Sequence, residues 1–171
     1  MFEAAPMTPA LPADAAAIAR LRDRLAQWMV DHGIAQWLPG EYPTAMVRAE
    51  TERGEWFVWR ESGTLIAAVR LIWRDPEFWG DDDAEAGYIH GLMVAPEHRG
   101  GELGARILAF CAERTLAEGI VRQRLDTAAN NEVLRKYYTA QGFTEVREAT
   151  LPPQFHGTDR VMLYEKSLAP A

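Results

Sequence analysis

The densest run of chemistry-bearing positions is Tyr88-Ile89-His90-Gly91-Leu92-Met93-Val94, followed by Ala95-Pro96-Glu97-His98-Arg99-Gly100-Gly101-Glu102-Leu103-Gly104-Ala105. The apolar half reads as a strand, the Pro- and Gly-containing middle as a tight loop, and Leu103 onward as the start of an amphipathic helix. A helix start of this kind is an anion site, because its first N–H groups have no helical partner and the helix dipole adds positive charge. Two phosphate-binding patterns fail to fit it. A P-loop needs a Lys-Ser or Lys-Thr pair after its glycines. A dinucleotide fingerprint needs G-x-G-x-x-G, and Gly100-Gly101-x-x-Gly104 has the wrong spacing. Asp81, Asp82 and Asp83 form an acidic run, but there is no Asp-x-Asp-x-Asp-Gly loop with its distal Glu and no His/Cys cluster at ligand spacing. No metal is therefore expected. His32, His98 and His156 are scattered and suggest no role. Cys111 lies in an apolar helical pattern and reads as a buried structural thiol.

The elements that must position this run follow from periodicity and punctuation. Residues up to about Met7 form a weak first strand, broken by Pro9 and Pro12. Asp14 is a plausible cap for a helix from Ala15 to Met29, whose Ile18, Leu21, Leu25, Trp28 and Met29 share a face. The stretch Ile34 to Pro43 is a loop unusually rich in aromatic residues. Thr44 to Arg53 is a short helix. Trp56 to Arg60 and Leu65 to Trp73 read as an antiparallel hairpin turning at Glu61 to Thr64. Asp75 to Glu85 is an acidic loop, and Gly87 to Val94 is the central strand. Gly91 inside that strand signals a bulge or a close backbone approach. Helix Leu103 to Glu118, strand Ile120 to Thr127 and an Asn130- or Asn131-capped helix to Gln141 come next. A strand starts at Phe143, a loop covers Pro152 to Gly157, and a strand at Arg160 to Leu168 closes the chain. The order β-α-α-β-β-β-α-β-α-β-β predicts an α/β fold, a mixed sheet with helices on both faces.

Length and composition set the frame. A chain of 171 residues suits one domain, 1–171, with a sizeable core. A net charge of −7 argues against a nucleic-acid partner and suits a small cationic substrate. One cysteine excludes an internal disulfide and points to a reducing compartment. No run is long and apolar enough to span a membrane, so a cytoplasmic protein without a membrane partner is expected.

Two motifs in series carry a resemblance. Arg99-Gly100-Gly101-Glu102-Leu103-Gly104 after the strand, and Asn131-Glu132-Val133-Leu134-Arg135-Lys136-Tyr137-Tyr138-Thr139-Ala140-Gln141-Gly142-Phe143 after the next one, resemble the GNAT acetyltransferase family. The likeness is close over residues 87–147 and rests on element order elsewhere. The family loop is Arg/Gln-x-x-Gly-x-Gly/Ala; Arg99 and Gly104 match it, whereas Glu102 replaces the middle glycine. The resemblance implies a mostly antiparallel sheet with a splayed central strand pair. It also implies acetyl-CoA as acyl donor. Its pyrophosphate would lie on Arg99, Gly100, Gly101, Glu102, Leu103, Gly104 and Ala105, its pantetheine along Leu92, Met93 and Val94, and its arm near Asn131.

The implied chemistry is direct acyl transfer in a ternary complex to a primary amine of a small molecule or peptide. A strand N–H would receive the developing oxyanion. Tyr138 would donate to the leaving sulfur, and His90 is the best-placed base, with Asp126 second. The loops flanking the acceptor would bring Trp37, Glu41 and Trp79 to the amine. Alternatives are a catalytically weak acyl-CoA-binding module, motivated by Glu102, and an acyltransferase with a different acyl chain or a hydroxyl acceptor. The resemblance leaves monomer and homodimer both open.

Overall fold

A computed structural model describes residues 3–151, 153–154 and 157–170. The expected loop at 152–157 is thus only partly described, and His156 lies outside the described residues, as do Met1 and Phe2 at the start of the expected first strand. The strands are β1 (Thr8–Pro9), β2 (Trp56–Glu61), β3 (Thr64–Ile72), β4 (Gly87–Val94), β5 (Arg122–Ala128), β6 (Thr144–Thr150) and β7 (Arg160–Ser167). The helices are α1 (Ala15–Asp31), α2 (Thr44–Glu52), α3 (Pro76–Trp79), α4 (Leu103–Ala117) and α5 (Glu132–Ala140), with 3-10 turns at Pro12–Asp14 and Pro96–His98. The short helix α3 lies inside the stretch read as an acidic loop, with Pro76 in its first turn, where the missing N–H is harmless. The first strand falls at Thr8–Pro9 rather than before it, and Pro9 is tolerated because β1 is an edge strand.

One sheet holds all seven strands in the order β1-β2-β3-β4-β5-β7-β6. Every neighbouring pair is antiparallel except β4 and β5. The β2–β3 hairpin turns through Ser62 and Gly63, both at positive φ, which matches the twist of the flanking strands. β4 and β5 pair only at Gly87 with Gln123 and Tyr88 with Arg124. Beyond Tyr88 they part, because β5 stays paired with β7 along its whole length while β4 stays with β3. The parting coincides with a bulge. The β3 register runs from Arg70–His90 to Ala68–Met93, so Gly91 and Leu92 together oppose Val69. Gly91 has φ +54°, and a Cβ there would lie 2.8 Å from Trp56 Cη2, so only glycine fits without displacement.

The bulge also reverses which residues face which side. α4 packs Ile107, Leu108 and Cys111 against Phe57, Val69, Leu71, Ile89 and Leu125 on one face, joined by Tyr138 of α5. α1 and α2 pack Ile18, Leu21, Leu25 and Val47 against Trp56, Val58, Ala68 and Met93 on the other. Each fully buried aliphatic side chain contributes about 1.5–3 kcal/mol. The Cys111 thiol is pushed up to about 12 by burial, which leaves it an inert packing group. Asp14 does not cap α1. The Pro12–Asp14 turn runs straight into the helix, so Asp14 is already helical, and its carboxylate reaches back to the Leu11 N–H (2.8 Å) and across to Arg60.

Candidate active site

The loop after β4 builds the first wall of a cleft of about 1030 Å³ that crosses the β4–β5 gap. Gly100 and Glu102 both take left-handed backbone, at φ +79° and +59°, which turns the chain into α4. Glu102 is exposed and precedes the first helical residue, and no side chain caps the N–H groups of that first turn. The left-handed backbone sits at the position where the resembling family has its middle glycine, so Glu102 holds a conformation that costs a side chain about 1–2 kcal/mol. Gly104 is fixed by contact: a Cβ there would lie 2.7 Å from the Tyr137 hydroxyl of α5. The Arg99 guanidinium stacks 3.9 Å from the Trp28 ring centre, which ties the loop to α1. Leu103 lines the cleft, while Ala105 is buried and does not reach its wall.

The strand supplies the second wall. Ala95 donates to Ile66 at 2.8 Å, so the antiparallel alternation directs Ala95 and Met93 toward β3. Leu92 and Val94 then turn their N–H groups to the open edge, where β5 has moved away. Both line the cleft. Met93 does not: its side chain is buried under α1 and α2, and its backbone faces β3.

Tyr138 reaches the cleft from the α4–α5 face. It is held edge-on to Tyr137 and Phe143, and Tyr164 lies 6.1 Å away. Burial, with the nearby Tyr137 and Asp126, raises its pKa well above that of a free phenol, so it is a neutral O–H donor at any physiological pH. Asn131 lies off the cleft wall. Its Oδ1 accepts from the Leu134 N–H at 3.2 Å, capping α5 as expected, and its Nδ2 donates to Gln36 at 3.1 Å. It thereby links α5 to the loop between α1 and α2.

The α1–α2 face carries the charged groups. His90 Nε2 is 2.7 Å from Asp75 Oδ2, and His90 Nδ1 is 3.4 Å from Asp126 Oδ1. The Phe78 ring lies 4.8 Å from the imidazole. Burial disfavours the charged imidazole, yet the hydrogen bond to Asp75 and the charges of both carboxylates outweigh it and raise the His90 pKa. Burial pushes the Asp126 carboxyl up to about 6; the His90 charge opposes this and Asp75 adds to it. Asp75 is hydrogen-bonded to the ring and Asp126 faces its other nitrogen as an ion pair, and no His, Cys, Asp or Glu grouping among the described residues is suited to a metal ion. Asp75 carries no local signal, since its contact is made across 15 residues in the chain.

Deeper in the same face, Glu50 accepts from Tyr42 and from the Trp56 indole (2.7 Å), and Arg70 bridges Glu50 and Glu55. Trp56 in turn packs on Gly91, so this network backs the bulge. Trp37 and Glu41 line the cleft, but Glu41 is nearly buried and paired with Arg22 at 3.3 Å. The Arg22 guanidinium stacks on Trp37 and Tyr42. Trp79 is a correction. It is 1% exposed, lies off the cleft and packs in a separate cluster with Tyr88, Val161 and Leu163. Arg124 stacks on it at 3.9 Å, and Asp82 pairs with Arg124, so this acidic segment anchors α3. A tryptophan beside an acidic run gives no local sign of which way it turns.

The acetyltransferase (GNAT) family matches the chain over residues 21–143. An uncharacterized N-acetyltransferase, YesJ of Bacillus subtilis, is 33% identical over 144 residues, covering 79% of each chain. An acetyltransferase of the GNAT family from Listeria monocytogenes superposes with a TM-score of 0.78 at 24% identity, over 95% of this chain and 94% of the other. YncA, described as a putative acetyltransferase of Salmonella typhimurium and solved with its cofactor acetyl-CoA, superposes with a TM-score of 0.71 at 18% identity, over 96% and 94%. Among the described residues no helix is long and apolar enough to cross a membrane.

Proposed function

The chain belongs to the acetyltransferase (GNAT) family, and we propose that it transfers an acetyl group from acetyl-CoA to a primary amine of a small molecule or peptide, in a ternary complex without a covalent enzyme intermediate. The observation that carries this reading is the gap between β4 and β5. An uncapped helix start opens on it, Tyr138 reaches it from one face of the sheet, and a buried Asp75–His90–Asp126 cluster reaches it from the other. One cleft through the sheet lets two substrates meet from opposite sides.

The residues present fit coenzyme A. The first-turn N–H groups of α4 suit a pyrophosphate, and Leu92 and Val94 offer an open strand edge to an amide-containing arm. Glu102 is exposed and free to turn toward water, although its charge works against an anion nearby. Acetyl-CoA supplies an activated carbonyl, at which an amine attacks and from which the thiolate leaves. The edge N–H groups of β4 stabilise the oxyanion. Tyr138, neutral and held by its aromatic neighbours, donates to the departing sulfur. The His90 cluster receives the proton of the incoming amine. Trp37 and Glu41 shape the acceptor end. They do so as parts of the Arg22 stack rather than as an open acidic mouth.

Thiol release from acetyl-CoA with a panel of primary amines (spermidine, tyramine, lysine and an alanine-initiated hexapeptide) tests the reading. Turnover with at least one amine, and a kcat reduced about 10²-fold or more by Tyr138→Phe with the amine KM little changed, is expected. Tight CoA binding with no turnover, and no effect of Tyr138→Phe, would instead favour the acyl-CoA-binding module that Glu102 motivates.

A further inference from the structure

His90 offers the cleft no free ring nitrogen. Nε2 faces Asp75 at 2.7 Å and Nδ1 faces Asp126 at 3.4 Å. The hydrogen bond to Asp75 and the charges of both carboxylates favour the charged ring, and an imidazolium takes no further proton. The remaining acceptors are the carboxylates themselves. Asp75 is the more enclosed, with its side chain 5% exposed against 16% for Asp126. Asp126 sits on β5 two residues past Arg124, the last residue of that strand to pair with β4, so it borders the gap directly. It faces His90 through Oδ1.

We propose that Asp126, and not His90, accepts the proton of the incoming ammonium group, with His90 and Asp75 as positioning residues behind it. This rests on the reading of the chain as an amine acetyltransferase. In the step, an N–H bond of R–NH3⁺ breaks, its electron pair stays on nitrogen, and an O–H bond forms on Asp126. The amine becomes a nucleophile and the carboxylate becomes a neutral acid, which returns its proton to water after product leaves. The His90 ring faces the Asp126 carboxylate at 3.4 Å and acts on it through its charge, and Asp75 fixes the ring through the 2.7 Å hydrogen bond at Nε2. The other groups facing the cluster are Arg70 of β3, whose charge opposes that of His90, and Tyr138 of α5, which is neutral and lies near Asp126. Burial holds the Asp126 carboxyl near 6, so at pH 7.5 it is ionised yet basic enough to be a useful acceptor.

The test is kcat/KM as a function of pH, at saturating acetyl-CoA, for the wild type, Asp126→Asn and His90→Gln. The acceptors are the fastest amine of the panel and trifluoroethylamine, which is already neutral at pH 7. The wild type should lose activity below about pH 6 and be level above it. Asp126→Asn should lose about 10²- to 10⁴-fold at pH 7 with the ordinary amine. That loss should shrink about tenfold per pH unit as the free amine itself becomes neutral. With trifluoroethylamine the same variant should be close to wild type. His90→Gln removes the charge that opposes protonation of Asp126, so its profile should keep a single acid limb, moved to higher pH, below a lower plateau, without alkaline recovery. The proposal is overturned if Asp126→Asn loses the same factor at every pH and with both amines, or if His90→Gln alone shows the alkaline recovery. Absence of turnover by the wild type with every amine would overturn the acetyltransferase reading instead.

Discussion

Replacing Asp126 by asparagine should stabilise the fold at neutral pH by up to about 3 kcal/mol while it removes activity. Burial raises this carboxyl from an ordinary 3.8 to about 6, a shift of about two units, and each unit corresponds to about 1.4 kcal/mol. The sign follows from the direction. With the folded value above the unfolded one, the protonated side chain is the form the fold tolerates. Stability from this group is full below about pH 3.8 and is lost as pH rises through about 6. At pH 8 the wild type therefore holds a carboxylate that the unfolded chain solvates better, whereas asparagine never ionises. Part of the gain is returned because His90 loses one of its two anionic neighbours, so 3 kcal/mol is an upper bound. Urea unfolding of both proteins at pH 4.5 and pH 8, compared by midpoint at constant slope, measures this directly. The variant should exceed the wild type by only about 1 kcal/mol at pH 4.5, where the unfolded carboxyl is already largely ionised, and by its full margin at pH 8. A variant that is destabilised more at pH 8 than at pH 4.5 would mean that the Asp126–His90 attraction exceeds the burial cost, and the reasoning would fail. A buried acid that weakens the fold at its working pH is the pattern expected of a group kept for chemistry.

Three further outcomes follow from contacts. Gly91→Ala must place a Cβ at φ +54° and 2.8 Å from Trp56, so thermal unfolding should reveal a loss of about 1–3 kcal/mol, with single-turnover acetyl transfer falling further than CoA affinity. Glu41→Ala leaves the Arg22 guanidinium, 6% exposed, without its carboxylate and should cost about 3–5 kcal/mol in urea; Glu41→Gln, which retains an acceptor, should cost less. Glu102→Gly relaxes a left-handed backbone and removes a negative charge from the helix start. It should add about 1 kcal/mol of stability and tighten CoA binding measured by calorimetry, and weaker binding would show that the Glu102 side chain contributes to the site.

What the sequence determined by itself is local. The glycine-bearing loop before α4, the bulge at Gly91, the Asn131 cap and the buried Cys111 each follow from a turn rule, a capping residue or a helical repeat within about ten residues. Apart from the one-turn helix α3, the expected order of elements holds for the same reason. Asp14 shows where even local reading stops, because its cap depends on whether the preceding turn is already helical. The faces were decided only in the tertiary structure. His90 meets Asp75 and Asp126, which lie 15 residues before it and 36 after it, because β4 and β5 part after one short parallel contact. The single extra residue at Gly91 reverses the alternation, so that His90 and Met93, three positions apart, face the same side. Trp79 went to the core and Trp37 to the cleft although both stand in polar or irregular stretches. Side-chain alternation can be read along one strand. Which strand lies beside it, and where it stops pairing, is set by contacts between segments far apart in the chain.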